Sequence, residues 1–212
     1  MKITKFEQSG FILEAKSGYK LAMDIGSYTS VEELKNLKID AMLVSHIHGD
    51  HFSLPQIKAL APRKLYIGEE CIEALGEEAL TSEIVETSVG DTLDIDGIEV
   101  SFFGVDHGPN VPKKPRQNFG FLMKIDGEKV YFAGDMFYES GIDVSSLEVD
   151  YALLPVGEHY TFGVAEAVAF AKKFKNIKNV VPMHSRKNIV VVNQFMELAL
   201  KAGLKTKDFD VL

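Results

Sequence analysis

Residues 45–51 read Ser-His-Ile-His-Gly-Asp-His, which puts three imidazoles and one carboxylate into six consecutive positions, His46 to His51. Imidazole nitrogens and carboxylate oxygens, with no thiolate beside them, suit zinc, manganese or iron. A lone histidine is ordinarily a hydrogen-bonded core or surface residue. Several packed together repel when protonated and waste donors when neutral, unless a cation holds them. Alternate residues of an extended segment point the same way, so His46 and His48 can share one ion. Asp50 and His51 lie one turn further on and aim towards a second. Two cations about 3.5–4 Å apart can share a water, lower its pKa and supply a hydroxide for attack on a carbonyl or phosphoryl centre. The expected chemistry is metal-assisted hydrolysis.

The elements that must present these groups are legible around them. Ala41-Met42-Leu43-Val44 is a short apolar run of the kind that forms a buried strand, and it delivers the cluster directly. His107, His159, His184 and Asp135 each follow another strand-like run, at 98–105, 151–156, 180–183 and 128–133. Strand ends along one sheet edge are where α/β folds gather functional groups. Taken singly, His107 and His184 could be structural, and Asp135 after Gly134 could be a turn former. They gain weight by joining the first cluster.

Helices are predicted at 30–38 (with Ser30 and Glu33 as a capping box), at 54–60, 69–80, 163–175 and 192–202, the last stopped by Gly203. Further strands are predicted at 11–15, 19–23, 64–67, 83–87, 92–95 and 119–125. Ser17-Gly18, Asp96-Gly97 and Asp126-Gly127 supply the turns. Residues 108–118 hold three prolines and three basic residues and read as a loop. Both halves are strand-rich with helices set between strands. That pattern predicts two packed sheets with helices outside, a four-layer α/β arrangement.

The 212 residues suit one domain spanning 1–212. The net charge of −8 argues against a general nucleic-acid binder, which needs a basic footprint. One cysteine, Cys71, excludes an internal disulfide framework and fits a reducing compartment. Residues 1–6 show no secretory pattern, and no apolar run approaches the length of a membrane span, so a cytoplasmic location is expected.

His46-Ile47-His48-Gly49-Asp50-His51 resembles the HxHxDH motif of the metallo-β-lactamase superfamily. His107, Gly134-Asp135 and Pro182-Met183-His184 follow in a similar order, so the likeness runs from about residue 1 to 190. Within that superfamily, residues 154–163 (Leu-Pro-Val-Gly-Glu-His-Tyr-Thr-Phe-Gly) and Pro182-Met183-His184 look most like the ascorbate-6-phosphate lactonase-like hydrolases. N-acyl-phosphatidylethanolamine phospholipase D is a more distant relative of the same type. The resemblance implies a four-layer αββα sandwich and two divalent ions, zinc first, with manganese or iron as alternatives. It places His46, His48 and His107 on the first ion, Asp50, His51 and His184 on the second, and Asp135 across both. Asp24 stands where the family has an aspartate that hydrogen-bonds near the metals.

In this scheme Asp50 orients the nucleophile or accepts its proton. His159, the one histidine left without a metal, either donates a hydrogen bond to the oxyanion or leaving group or props a ligand loop. Two features depart from the relatives. Gln8-Ser9-Gly10 replaces a His-Ser-Ala type of turn, and the 108–118 loop carries Lys113, Lys114 and Arg116, which could close over an anionic substrate. The expected activity is hydrolysis of a small ester, lactone or phosphoester by a metal-bridging hydroxide. An iron-dependent oxidoreductase on the same scaffold, a nuclease or phosphodiesterase, and a non-catalytic metal-binding protein are the alternatives. The partner expected is a small molecule, with an anionic one open, rather than a nucleic acid or a membrane; a homo-oligomer is compatible with this reading.

Overall fold

Alternation of apolar side chains builds the first sheet. In β2 (Phe11–Glu14), β3 (Lys20–Met23) and β4 (Ala41–Leu43), Phe11, Leu13, Leu21, Met23, Ala41 and Leu43 face one core. Ile12, Ala22 and Met42, between them, face another. Both faces of these strands are covered, so they read as continuous apolar runs rather than alternating ones. β1 (Lys2–Lys5), β5 (Lys64–Ile67) and β6 (Glu83–Glu86) complete six strands in sequence order, antiparallel from β1 to β3 and parallel from β3 to β6. In this computed structural model, residues 1–140, 142–157 and 159–209 are described; Glu158, quoted above in the 154–163 run, lies outside them.

The second sheet repeats the plan. β7 (Thr92–Ile95), β8 (Ile98–Gly104), β9 (Phe119–Ile125) and β10 (Glu128–Phe132) are antiparallel, and β11 (Glu148–Pro155) and β12 (Asn176–Met183) add in parallel. The two inner faces meet in one aromatic core, where Phe11 of the first sheet lies edge-on to Phe132 of the second with centroids 6.3 Å apart. α1 (Val31–Leu34), α2 (Leu54–Leu60) and α3 (Glu69–Leu75) pack on the outer face of the first sheet through Leu34, Ile57, Leu60, Cys71 and Leu75. α4 (Val164–Ala171) and α5 (Ile189–Lys201) cover the second through Phe170 and Phe195. The result is the expected αββα order of layers. Each buried Leu- or Phe-sized side chain contributes roughly 1.5–3 kcal/mol to holding the layers together.

Several boundaries differ from expectation. α1 keeps its Ser30–Glu33 capping box but ends at Leu34 rather than 38. α3 stops at Leu75 rather than 80, because Gly76 turns left-handed (φ 55°) and closes the helix onto Glu73. α4 ends at Ala171 rather than near 175. α5 begins at Ile189 rather than 192, with the Asn188 side chain accepting from the Val191 amide. β11 and β12 start earlier than their apolar stretches, since their first residues pair with each other at the exposed end of the sheet.

β8, β10, β11 and β12 all run in one direction, as do β3 and β4. The residues that follow their C-terminal ends therefore emerge along one edge of each sheet, and the two edges meet. No helix among the described residues is long and apolar enough to cross a membrane.

Candidate metal centre

The strand ends bring seven ligand-type residues together in two adjoining groups. His46, His48 and His107 form one. Asp50, His51, Asp135 and His184 form the other, and within each group the ligand atoms lie within 4.8 Å of one another. Asp135 sits between them: its Oδ2 is 3.0 Å from His184 Nε2, 3.1 Å from His51 Nε2, 3.3 Å from His107 Nε2 and 4.0 Å from His46 Nε2. His159 joins neither. It is exposed, lines the cleft in front of both groups, and packs its ring on Tyr160 at 4.5 Å between centroids.

Two glycines let the supporting loops close. Gly26, just past β3, lies against the turn carrying Asp50; a Cβ there would fall 2.1 Å from the Asp50 backbone. Gly134 takes φ 62° directly before Asp135, with the Phe119 carbonyl oxygen 2.4 Å from where its Cβ would be. A larger residue at either position would push a ligand loop out of register.

Groups behind the ring determine which nitrogen of each imidazole faces inward. Asp24, fully buried, accepts from the Ser45 amide at 2.7 Å and the Ser45 hydroxyl at 2.5 Å. The Ser45 proton is thereby committed, so His46 Nδ1 donates to Ser45 Oγ at 2.9 Å. His51 Nδ1 donates to Asp24 Oδ2 at 2.7 Å, His107 Nδ1 to the Tyr160 carbonyl at 3.1 Å, and His48 Nε2 to the Lys113 carbonyl at 2.8 Å. Acceptor partners that hold the outer N–H leave the inner nitrogen as a lone pair. Two such lone pairs, on His46 Nε2 and His48 Nδ1, face each other at 2.9 Å.

Charge separates the two groups. Burial pushes His46 well below the ordinary imidazole range, and its neighbours His51, His107 and His48 add to this against the pull of Asp135. Burial likewise lowers His48. In the other group burial is outweighed. Asp135, Asp24 and Asp50 hold His51 well above the usual value, and Asp135 with Asp50 raises His184 to about 9. Asp50 and Asp135 are both held well below the usual carboxylate range; burial opposes this, and His51 and His184 overcome it.

These residues fit a bound cation. His51 Nε2, His107 Nε2 and Asp135 Oδ1, all turned into the centre, are buried without a hydrogen-bond partner among the described residues. Unpaired polar atoms are costly inside a protein, and three of them in one place fit a bound ion. The donors are nitrogen and oxygen only, a set that suits zinc, manganese or iron.

Gln8, at φ 61°, ties the second group to the first loop of the chain. Its Nε2 donates to Asp50 Oδ2 at 3.0 Å, and its carbonyl accepts the His184 amide at 2.8 Å. Sequence reasoning marked Gln8 only as a departure, and it had no means of naming Ser45, Lys113 or Tyr160 as ring supports. The last two act through backbone carbonyls, which leave no trace in residue type.

Comparison with known proteins places these observations in a family. The beta-lactamase superfamily domain matches residues 2–184. A UPF0173 metal-dependent hydrolase of Pyrobaculum neutrophilum is 30% identical over 194 residues, 87% of this chain and 84% of its own length. Among solved structures, Igni18, a metallo hydrolase from Ignicoccus hospitalis, superposes with a TM-score of 0.79 at 25% identity, over 98% of this chain and 94% of its own. The metallo-beta-lactamase fold protein YhfI from Bacillus subtilis gives a TM-score of 0.72 at 15% identity, over 98% of this chain and 93% of its own, a likeness of fold.

Proposed function

Since the chain belongs to the beta-lactamase superfamily, and within it to the UPF0173 metal-dependent hydrolases, we propose that it works as a dinuclear hydrolase of a small ester, lactone or phosphoester. In this reading His46, His48 and His107 hold one ion and Asp50, His51 and His184 the other, with Asp135 shared. The observation that carries it is the pair of imidazole lone pairs of His46 and His48, turned towards each other at 2.9 Å by their outer hydrogen bonds. Without a cation that arrangement is repulsive. Zinc is the expected metal; manganese and iron suit the same donors.

Bound there, a pair of divalent cations supplies an ionised water near neutral pH and a Lewis acid for the substrate oxygen. The remaining work falls to the chain. Asp50 faces the cleft with one oxygen held by Gln8. Held by Gln8 and beside His51 and His184, Asp50 is placed to orient the reacting water. His159, on the cleft wall and clear of both groups, is placed to donate a hydrogen bond to the leaving oxygen.

The test is elemental analysis of the purified protein, paired with hydrolysis of 4-nitrophenyl acetate, a γ-lactone and bis(4-nitrophenyl) phosphate after loading with zinc, manganese or iron. We expect two ions per chain and turnover of at least one substrate that chelation abolishes. Full turnover after chelation, or an iron form that only consumes oxygen, would refute the reading.

A further inference from the structure

We propose that the cleft selects substrates carrying an anionic group, a carboxylate or a phosphate, away from the bond that is cut, and that Lys113 and Arg186 bind it. The proposal rests on the hydrolase reading above and names its substrate class.

The cleft encloses about 840 Å³, the size of a site for a metabolite. Five basic residues stand on the two loops that flank it: Lys113, Lys114 and Arg116 after β8, and Arg186 and Lys187 after β12. Three of them are committed to carboxylates. Lys114 pairs with Asp106 at 2.8 Å, Arg116 with Glu73 and Glu70, and Lys187 with Glu7. Lys113 and Arg186 line the cleft and have no acidic partner among the described residues. Of the three cations on the 108–118 loop, one thus lines the cleft without a partner among the described residues, and the segment after β12 adds another.

The backbone of Lys113 and the head group of Arg186 are each anchored. The Lys113 carbonyl accepts from His48, so its backbone moves with the metal centre. The Arg186 guanidinium stacks on the Tyr28 ring at 4.6 Å. Tyr28, Ser185 and Asn188 add neutral hydrogen-bonding groups to the same walls. The two carboxylates in the cleft, Asp50 and Asp135, are occupied by histidines. On a chain with net charge −8, two cleft-lining basic residues with no acidic partner among the described residues run against the surface as a whole. A guanidinium presents parallel N–H groups to two oxygens of a carboxylate or phosphate, and an ammonium adds a point charge.

The experiment measures binding of two-headed acids to the full chain, with and without added zinc, from ligand-induced shifts in Tm. Succinate and 2-phosphoglycolate carry a second anionic group; acetate and inorganic phosphate, with one, are the references. Succinate or phosphoglycolate should bind more tightly than its reference. Arg186→Gln and Lys113→Gln should each reduce that advantage about tenfold, as loss of one charged hydrogen bond predicts. Lys114→Gln and Arg116→Gln, on the same loop but paired elsewhere, should leave it unchanged. Measured against acetate as the common reference, a larger advantage for phosphoglycolate assigns a phosphate, and for succinate a carboxylate. The proposal is overturned if the second anionic group gives no advantage, or if all four variants lose it equally. Zinc content and 4-nitrophenyl acetate turnover on the same wild-type samples report separately on the hydrolase reading, and the zinc-free arm tests Lys113 and Arg186 even if that reading fails.

Discussion

The two ligand groups touch through one carboxylate oxygen yet hold their protons in opposite ways. Around His46, His48 and His107 the supporting acceptors are neutral: a serine hydroxyl and two backbone carbonyls. Burial governs there, and it drives protons off His46 and His48. Around His51 and His184 stand three carboxylates, Asp24, Asp50 and Asp135, and the imidazoles keep their protons well above neutral pH. Burial is shared, so burial alone does not decide a histidine's charge. The partner within hydrogen-bond reach does. One group is ready for a cation as it stands, whereas the other must exchange protons for it.

The sharpest way to break this contrast is to remove what the groups share. Asp135→Ala should cost both ions and lower kcat by on the order of 10³-fold or more. His107→Ala should cost only one equivalent of metal, and mass spectrometry under native conditions counts the difference. If His107→Ala empties both sites, the groups are not separable.

Asp24 is the next lever, because it supports His51 directly and His46 through Ser45. Asp24→Asn should weaken metal affinity by about 10- to 100-fold without unfolding the chain. A competition titration against a chromophoric chelator measures this, and an unchanged affinity would show that the rings hold their orientation unaided.

The proton asymmetry itself is testable in metal-stripped protein. His184 is raised from 6.5 to about 9, so its protonated form stabilises the fold. That contribution is complete below pH 6.5 and is lost as pH rises through about 9. The Tm of stripped protein should therefore fall across this window, and zinc uptake at pH 7 should release protons, read by calorimetry in buffers of different ionisation enthalpy. Uptake without proton release would erase the distinction between the groups.

The smallest effect is expected at Gln8. Gln8→Leu removes the donor to Asp50, worth about 1 kcal/mol or roughly fivefold in kcat, with metal content retained.

Much of the centre was readable in residue order. His46, His48, Asp50 and His51 are close in sequence, and His107, Asp135 and His184 each follow a strand, which made them candidates; the resemblance to the metallo-β-lactamase motif implied that they act as one set. What residue types could not convey is the direction of each ring, because backbone carbonyls of Lys113 and Tyr160 determine it. Nor could they separate Lys113 from Lys114 and Arg116, whose partners Asp106, Glu70 and Glu73 are chosen by the fold. Arg186 went unnoticed because nothing in a single basic residue after a strand marks it as facing a cleft. Among the layers, the inner and outer faces of β2 to β4 followed from alternation, while helix ends such as Leu75 depended on a local left-handed turn at Gly76.

The hydrogen bond from the His184 amide to the Gln8 carbonyl joins the first loop of the chain to the end of β12. On the ribosome, the loop holding Gln8 must wait for β12 to be made. At roughly 5–20 residues per second that delay is several seconds or more. During it, His46, His48 and His107 are already synthesised while Asp50 and His51 lack His184.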